Sequence, residues 1–381
     1  MFDCCIIGGG IIGLSIAREL AGRGLGVRVV SREPERDTAS WAAAGIFPPA
    51  PRHADESAAE RLTSWSDALH RDWSRDLREE TGIDNGLFGS GGLHLAADEG
   101  HMASVREEAH AWRTQGARCD LLDGRGVAAC EPGLRGAVDR GVIAGGYFLP
   151  DEMQIRPPRH LAALVESCRR RGVALSFGGT VERLGVGHGT IKGVDVRFAD
   201  GLRETIEADV YCLAAGAWTG QLARHLGLTI DTRPIRGQIA LYRFPTPPLA
   251  RVVNLDLEYL VPRGDGRVLV GSTLEDAGFD LGTTADALGR LSDLAKLLLG
   301  DMETATLERT WSGLRPASID GLPSIGRIPG CSNAFVASGH YRAGLHQSTG
   351  TAMLIADLVT NRTPAIDAAP FDPSRHAVTP R

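Results

Sequence analysis

The sequence is poor in the features that would direct it to several large classes of protein. Lysine is almost missing, with only Lys192 and Lys296, so the basic charge is carried by arginine. The arginines are mostly interspersed with acids, as in "RDWSRDLREE", and the triplet Arg169–Arg171 is too short to make a basic patch. Net charge is 41 − 47 = −6 with a pI near 6.0. That balance offers no basic field to nucleic acid. No apolar stretch approaches the roughly 20 residues that a membrane-spanning helix needs. The seven cysteines (Cys4, Cys5, Cys119, Cys130, Cys168, Cys212, Cys331) are odd in number and lack metal-ligand spacing. Cys4 and Cys5 lie inside an apolar run and read as core residues, so a reduced, cytoplasmic chain without a metal site is expected. No basic and apolar leader precedes the first strand at Phe2. There is no internal repeat and no low-complexity segment.

What is present is a 381-residue chain, 43% apolar, with 48 glycines. That length suggests two domains, and the glycines suggest many tight turns. The opening "FDCCIIGGGIIGLSIARELAGRGLGVRVVS" reads strand, glycine turn, helix, strand. Gly8, Gly10 and Gly13 match G-x-G-x-x-G: one glycine for the turn, one for close approach to a pyrophosphate, one for helix–strand packing. The helix N-terminus adds N–H donors and partial positive charge for phosphates. The acid expected about 20 residues on to grip a ribose is replaced by Ser31. Glu33 lies two residues later, on the same side of an extended chain. Either could contact an adenosine ribose.

After this unit, "TASWAAAGIFPPAP" is a small-residue loop, followed by a polar amphipathic helix at 57–81. A nicotinamide enzyme would continue with another βα unit, so the loop favours a flavin. Further on, a helix is expected at 158–171, a β-meander ends in the apolar strand "DVYCLAAGAW", strands dominate 233–272, and 285–299 is helical. Near the C-terminus, "NAFVAS" reads as a buried strand and "GHYRAGLHQSTGTA" as a glycine-flanked loop entering a helix near His346. A C-terminal helix after a glycine loop can return to the first domain, which would interleave the two domains.

Seven segments carry a family resemblance along nearly the whole chain: "IIGGGIIGLSIARELAGRG", "ASWAAAGI", "ADVYCLAAGAW", "RGQIALYR", "EYLVPR", "WSGLRPASIDGLPSIGR" and "GHYRAGL". The chain resembles the D-amino-acid oxidase (DAO) family of FAD-dependent oxidoreductases, and within it the glycine oxidases of thiamine biosynthesis. The resemblance implies an α/β fold in which a Rossmann-like FAD-binding domain (1–84, 141–228, 313–381) interleaves with a substrate-binding domain (85–140, 229–312). The latter would be built on a mixed, largely antiparallel β-sheet. It also implies non-covalent FAD held by Gly8, Gly10, Ile11, Ile12, Gly13, Ser31, Arg32, Ser40, Ala44, Gly45 and Ile46. Val181, Ala215, Gly216 and Trp218 would complete the nucleotide side, and His340, Tyr341, Arg342, Ala343, Gly344, Leu345 and His346 would wrap the flavin ring. Arg315, Arg342 and Tyr259 would meet the substrate carboxylate. Where some relatives place a histidine near the substrate, this chain has Leu257.

Oxidation of an amino acid removes a hydride equivalent from Cα, and positioning is most of the task. A guanidinium can hold a carboxylate by two parallel hydrogen bonds. Arg315, stiffened by Pro316 and given access by Gly313, is the first candidate, with Arg342 second. Gly339 and Gly344 are expected to bring main-chain N–H groups to the flavin. His340 is expected to be structural rather than a base. Leu257 and Leu274 suggest an apolar wall suited to N-methylglycine or D-alanine. The expected reaction takes glycine or a small amino acid and oxygen to the imino acid and hydrogen peroxide, with no nucleic-acid partner and no transmembrane segment; a homo-oligomer is compatible. A dehydrogenase passing electrons from a D-amino acid or sarcosine to another acceptor remains open, as does a nicotinamide reductase or a nucleotide-binding module.

Overall fold

The computed structural model describes residues 1–32, 38–230, 232–300 and 302–376. The chain opens with β1 (Phe2–Ile7), α1 (Ile11–Gly22), β2 (Val27–Ser31), the single turn α2 (Ala39–Ala42) and the long helix α3 (Ala58–Thr81). It continues through β3 (Gly92–Ala96), β4 (Asp120–Asp123), β5 (Gly145–Leu149), α4 (Pro157–Arg170) and β6 (Ala174–Phe177). A three-stranded meander over 179–206 then precedes β7 (Ala208–Leu213). The strands β8 (Thr232–Arg243), β9 (Val252–Leu255), β10 (Glu258–Pro262) and β11 (Arg267–Gly271) follow, then α5 (Ala285–Leu299) and β12 (Thr306–Ser318). Last come β13 (Ser324–Arg327), β14 (Ala334–Ser338) and α6 (Ser348–Val359).

Among the described residues two large sheets organise these elements. The first has the order β13-β14-β7-β1-β2-β6, parallel except for β13. Alternation along β1 sends Cys4 and Ile6 to one face and Cys5 and Ile7 to the other. The first face packs under α1, α3, α4 and α6, the second under the meander. Burial pushes the Cys5 and Cys212 thiols up to about 12, so they are inert core groups. Helix α3 starts where the sequence places it, because Ser57 and Glu60 form a reciprocal capping box. Such a cap stabilises the start by about 1 kcal/mol.

The second sheet has the order β12-β8-β11-β10-β9-β3-β5-β4 and is antiparallel except for β3–β9. One face, with Leu93, Val253, Leu260 and Val270, packs on α5. The opposite face, with Ile239, Tyr259, Val261 and Leu269, turns toward Ala44. β5 is hydrogen-bonded on both edges within this sheet, so the strand at 145–149 sits with β3 and β4, although the expected boundary placed it with 141–228. No helix of the described residues is long and apolar enough to cross a membrane. Those residues also contain no group of three or more potential metal ligands.

Candidate active site

The glycine turn explains its own sequence. A Cβ on Gly13 would lie 1.9 Å from the Gly8 carbonyl oxygen, and one on Gly8 would lie 2.2 Å from the Ala214 oxygen. Only glycine lets α1, β1 and β7 close to this distance. The Ser40 hydroxyl accepts the Ile11 N–H at 2.9 Å and so ties the small-residue loop to the helix start. Ser31, at the end of β2, lies against Gly9, and the Arg32 guanidinium stacks 4.1 Å from the Trp218 ring centroid. Glu33, the other expected ribose contact, lies outside the described residues.

These groups line one end of a cavity of about 780 Å³. Ligand cavities of roughly 300–1,000 Å³ bury most of a bound small molecule. Gly8, Gly10, Ile11, Ile12, Ser31, Arg32, Ser40, Ala44, Gly45, Ile46, Val181, Ala215, Gly216 and Trp218 all line it, as do Tyr259, Arg315, His340, Tyr341, Arg342, Gly344, Leu345 and His346. Gly13 and Ala343 do not: Gly13 is buried in the helix–strand contact, and Ala343 lies in the turn where its N–H donates to the His340 carbonyl. Gly339 is also off the wall; with φ +85° it turns against Ser318 and Pro323. Gly313 lines the cavity, but its missing Cβ is what lets Ala42 approach β12.

The far end is built by pairing between strands distant in sequence. Ala317 of β12 bridges to His340, and the Tyr341 N–H donates to the Pro316 carbonyl at 2.9 Å, which sets Arg342 beside Arg315. Arg315 donates to the Ser272 hydroxyl at 2.6 Å and to the Thr273 carbonyl at 3.3 Å. Its guanidinium lies over Gly237, where a Cβ would be 2.3 Å from both terminal nitrogens. Burial lowers the Arg315 pKa, Tyr259 offsets part of that effect, and neighbouring Arg342 lowers it further. Among the described residues neither arginine has a carboxylate partner. Arg263 braces the floor: it donates to Gln154, to the Ile155 carbonyl and to the Ala44 carbonyl. Burial lowers its pKa to about 9, which leaves it charged at neutral pH.

His340 and His346 are braced by their neighbours. His340 Nε2 lies 3.0 Å from the Thr351 hydroxyl, and burial pushes its pKa down to about 3. That value leaves the ring uncharged at neutral pH. His346 pairs with Asp67 at 2.8 Å, stacks on Phe47 with centroids 4.5 Å apart, and gives its carbonyl to His70 Nε2.

The apolar wall expected from Leu257 and Leu274 is absent. Leu257 is 53% exposed, Leu274 is 49% exposed, and neither lines the cavity. Leu257 sits in the turn between β9 and β10, where Asp256 adopts φ +52°. His94, Glu152, Asn254, Asp256, Gly237 and Ile239 line the cavity instead, and sequence reading did not single them out as site residues. The signal for His94 and Asn254 was a polar residue at alternate positions of otherwise apolar strands.

A glycine turn closed at the head of a parallel sheet, opening into a long cavity walled by a second sheet, defines a dinucleotide-dependent α/β oxidoreductase. The close main-chain approach at Gly8 and Gly10 and the amides of α1 fit a pyrophosphate-bearing cofactor. The chain belongs to the DAO family, described as FAD dependent oxidoreductase, whose profile matches residues 3–358. It is 34% identical over 370 residues to the glycine oxidase of Pseudomonas aeruginosa, covering 97% of this chain and 98% of that one. It is 32% identical over 382 residues to the glycine oxidase of Geobacillus kaustophilus, covering 98% and 97%. The crystal structure of glycine oxidase from Geobacillus kaustophilus superposes with a TM-score of 0.89 at 32% identity, covering 99% of each chain. FAD is therefore the cofactor of this chain, and no cysteine lines the cavity that receives it.

Proposed function

We propose that this FAD-dependent amino-acid oxidase acts on glycine or a small primary or secondary amino acid, converting it to the imino acid with oxygen as acceptor. Hydrolysis of the imino acid then gives the 2-oxo acid and ammonia or amine. The observation that carries this reading is the pair Arg315 and Arg342, two guanidinium groups on one cavity wall that form no ion pair with a carboxylate among the described residues. Like charges held together in a part-buried site cost free energy that an anionic ligand would offset. When bound, FAD supplies a two-electron acceptor at N5. Arg315, fixed by Ser272, Thr273 and the room above Gly237, would take the substrate carboxylate as a fork. Arg342 and the Tyr259 hydroxyl would close around the same carboxylate. His340, neutral and bonded to Thr351, takes no proton; the amine would lose its proton to solvent before the hydride equivalent leaves Cα. The sheet face carrying Ile239 and Tyr259 would exclude water from the reacting carbon.

The test is the visible spectrum of the FAD-loaded protein under anaerobic conditions. Bleaching of the flavin bands on adding glycine is expected, with stoichiometric hydrogen peroxide on readmitting air. Bands left unmoved by glycine but bleached by sarcosine or a D-amino acid would move the substrate assignment. Bleaching without peroxide would make the enzyme a dehydrogenase.

Gly237→Ala provides a separate check on the carboxylate anchor. The added methyl must displace the Arg315 guanidinium, and a shift of about 1 Å in such a group costs on the order of 10²-fold. We expect kcat/KM for glycine to fall by about that factor while Tm changes by only a few degrees. Unchanged kinetics in this variant would remove Arg315 from the substrate site.

A further inference from the structure

One rung of the second sheet crosses the cavity floor. In register, Tyr147 on β5 faces His94 on β3, His94 faces Asn254 on β9, and Asn254 faces Tyr259 on β10. Directly opposed residues share a face of the sheet. His94 and Tyr259 therefore look into the same cavity about 10 Å apart, two strand spacings. Arg315 and Tyr259 occupy one end of this rung. The other end is acidic, and the reading above gives it no task.

Glu152 lines the cavity at that end with 0% exposure. Its Oε2 lies 3.1 Å from His94 Nε2, and its Oε1 has no hydrogen-bond partner among the described residues. Its carboxylate fills the place where a Cβ on Gly92 would be. The His94 ring is held by stacking on Tyr147, with centroids 4.6 Å apart, and its Nδ1 makes no hydrogen bond to a described residue. Asp256 also lines the cavity, 3.2 Å from His101 through Oδ1. The arginines that line the cavity are Arg32, Arg315 and Arg342, and none is paired with Glu152 or Asp256. A buried carboxylate whose one hydrogen-bond partner among the described residues is an imidazole is incompletely compensated, and a cation is the ligand that would complete it.

We propose that His94, Glu152, Asn254 and Asp256 form a second substrate subsite that receives a protonated amine at the far end of an amino-acid substrate. This rests on the amino-acid oxidase reading and deepens it: the substrate class extends to amino acids with a basic side chain, carboxylate on Arg315 and terminal ammonium at Glu152. Glycine fills only the arginine end. A side chain of about four carbons bridges the rung, which a methyl or ethyl group cannot do. The subsite acts by charge, so it favours a terminal ammonium over the methyl end of the chain that lacks it and rejects a second carboxylate.

The experiment uses the FAD-loaded protein and two carboxylates that lack an α-amine and are not oxidised, 6-aminohexanoate and hexanoate. Dissociation constants come from flavin difference spectra and are checked by calorimetry. We expect 6-aminohexanoate to bind at least about tenfold more tightly, the equivalent of roughly 1.4 kcal/mol. Lysine should exceed norleucine by a similar ratio in kcat/KM, measured with each enantiomer. Glu152→Gln should bring both ratios close to one. Asp256 is 71% exposed, so Asp256→Asn provides a variant that folds if the buried change does not, and it should reduce the ratios in part. A ratio near one in the parent protein, or a ratio that survives Glu152→Gln, overturns the subsite while glycine still bleaches the flavin. Failure of glycine to reduce the flavin together with failure of hexanoate to bind would overturn the amino-acid reading and this subsite with it.

Discussion

Arg315→Met lowers kcat/KM for glycine by on the order of 10²–10⁴. Removing one partner of a desolvated charge pair costs about 3–5 kcal/mol, and each 1.4 kcal/mol is roughly a factor of ten. The loss should appear in both kcat and KM, because the fork fixes Cα over the cofactor as well as binding the carboxylate. Arg315→Lys keeps the charge but not the parallel pair of donors, and should recover only part of the loss. Arg342→Ala is expected to be milder, because Arg342 is exposed at the cavity and makes no hydrogen bond with a described residue, whereas Arg315 is anchored on Ser272 and Thr273. Steady-state kinetics with glycine and titration with acetate, read on the flavin bands, separate turnover from binding. An Arg315→Met enzyme within a factor of three of the parent would reassign the anchor.

Mild acid destabilises the protein steeply. Three histidines are buried and neutral: burial holds His340 at about 3 and His160 at about 4, and His70 well below its ordinary 6.5, with His346 and His160 adding to the effect on His70. In the unfolded chain each takes a proton near pH 6.5, while the folded protein takes none until its depressed pKa is reached. The unfolded state then binds more protons, so stability falls as pH drops through the window from 6.5 to roughly 4. With three groups the slope approaches about 4 kcal/mol per pH unit, against a total stability of about 5–15 kcal/mol for a typical domain. Chemical denaturation at half-unit steps from pH 7.5 to 5 measures this slope. His160→Gln should reduce it by about a third. A flat profile across that range would mean that the rings ionise in the folded state.

The parts of the fold legible in the sequence were those decided locally. The glycine turn, the Ser57 start of α3, the helix Ala285–Leu299 and the closing strand–loop–helix each depend on residues within a few positions of one another. The site was legible where its residues lie in such local motifs, as with "GHYRAGL" and "GLRPAS". What could not be read was which strand pairs with which. Gly237 matters because β8 lies against β12, some 75–80 residues later, so that its missing side chain makes room for a guanidinium from the other strand. Leu257 turns away from the cavity because the left-handed Asp256 bends the hairpin between β9 and β10, and neither its apolar character nor its place beside Tyr259 reveals that turn. Glu152 follows a strand rather than lying in one, so no periodicity marks it.

The pairing of β1 with β7, and of β7 with β14, has a consequence for the timing of synthesis. A ribosome adding roughly 5–20 residues per second finishes β1 tens of seconds before β14 exists. Until β7 is made the apolar strand "FDCCII" has only β2 beside it, β7 then waits for β14 at its outer edge, and α1 waits for α6 to cover it. The cofactor end of the cavity shares this schedule, because its lining draws on residues from Gly8 to His346. FAD therefore meets a complete binding surface only after the segment around His346 has been made, so its binding site cannot close before β14 and α6 are in place.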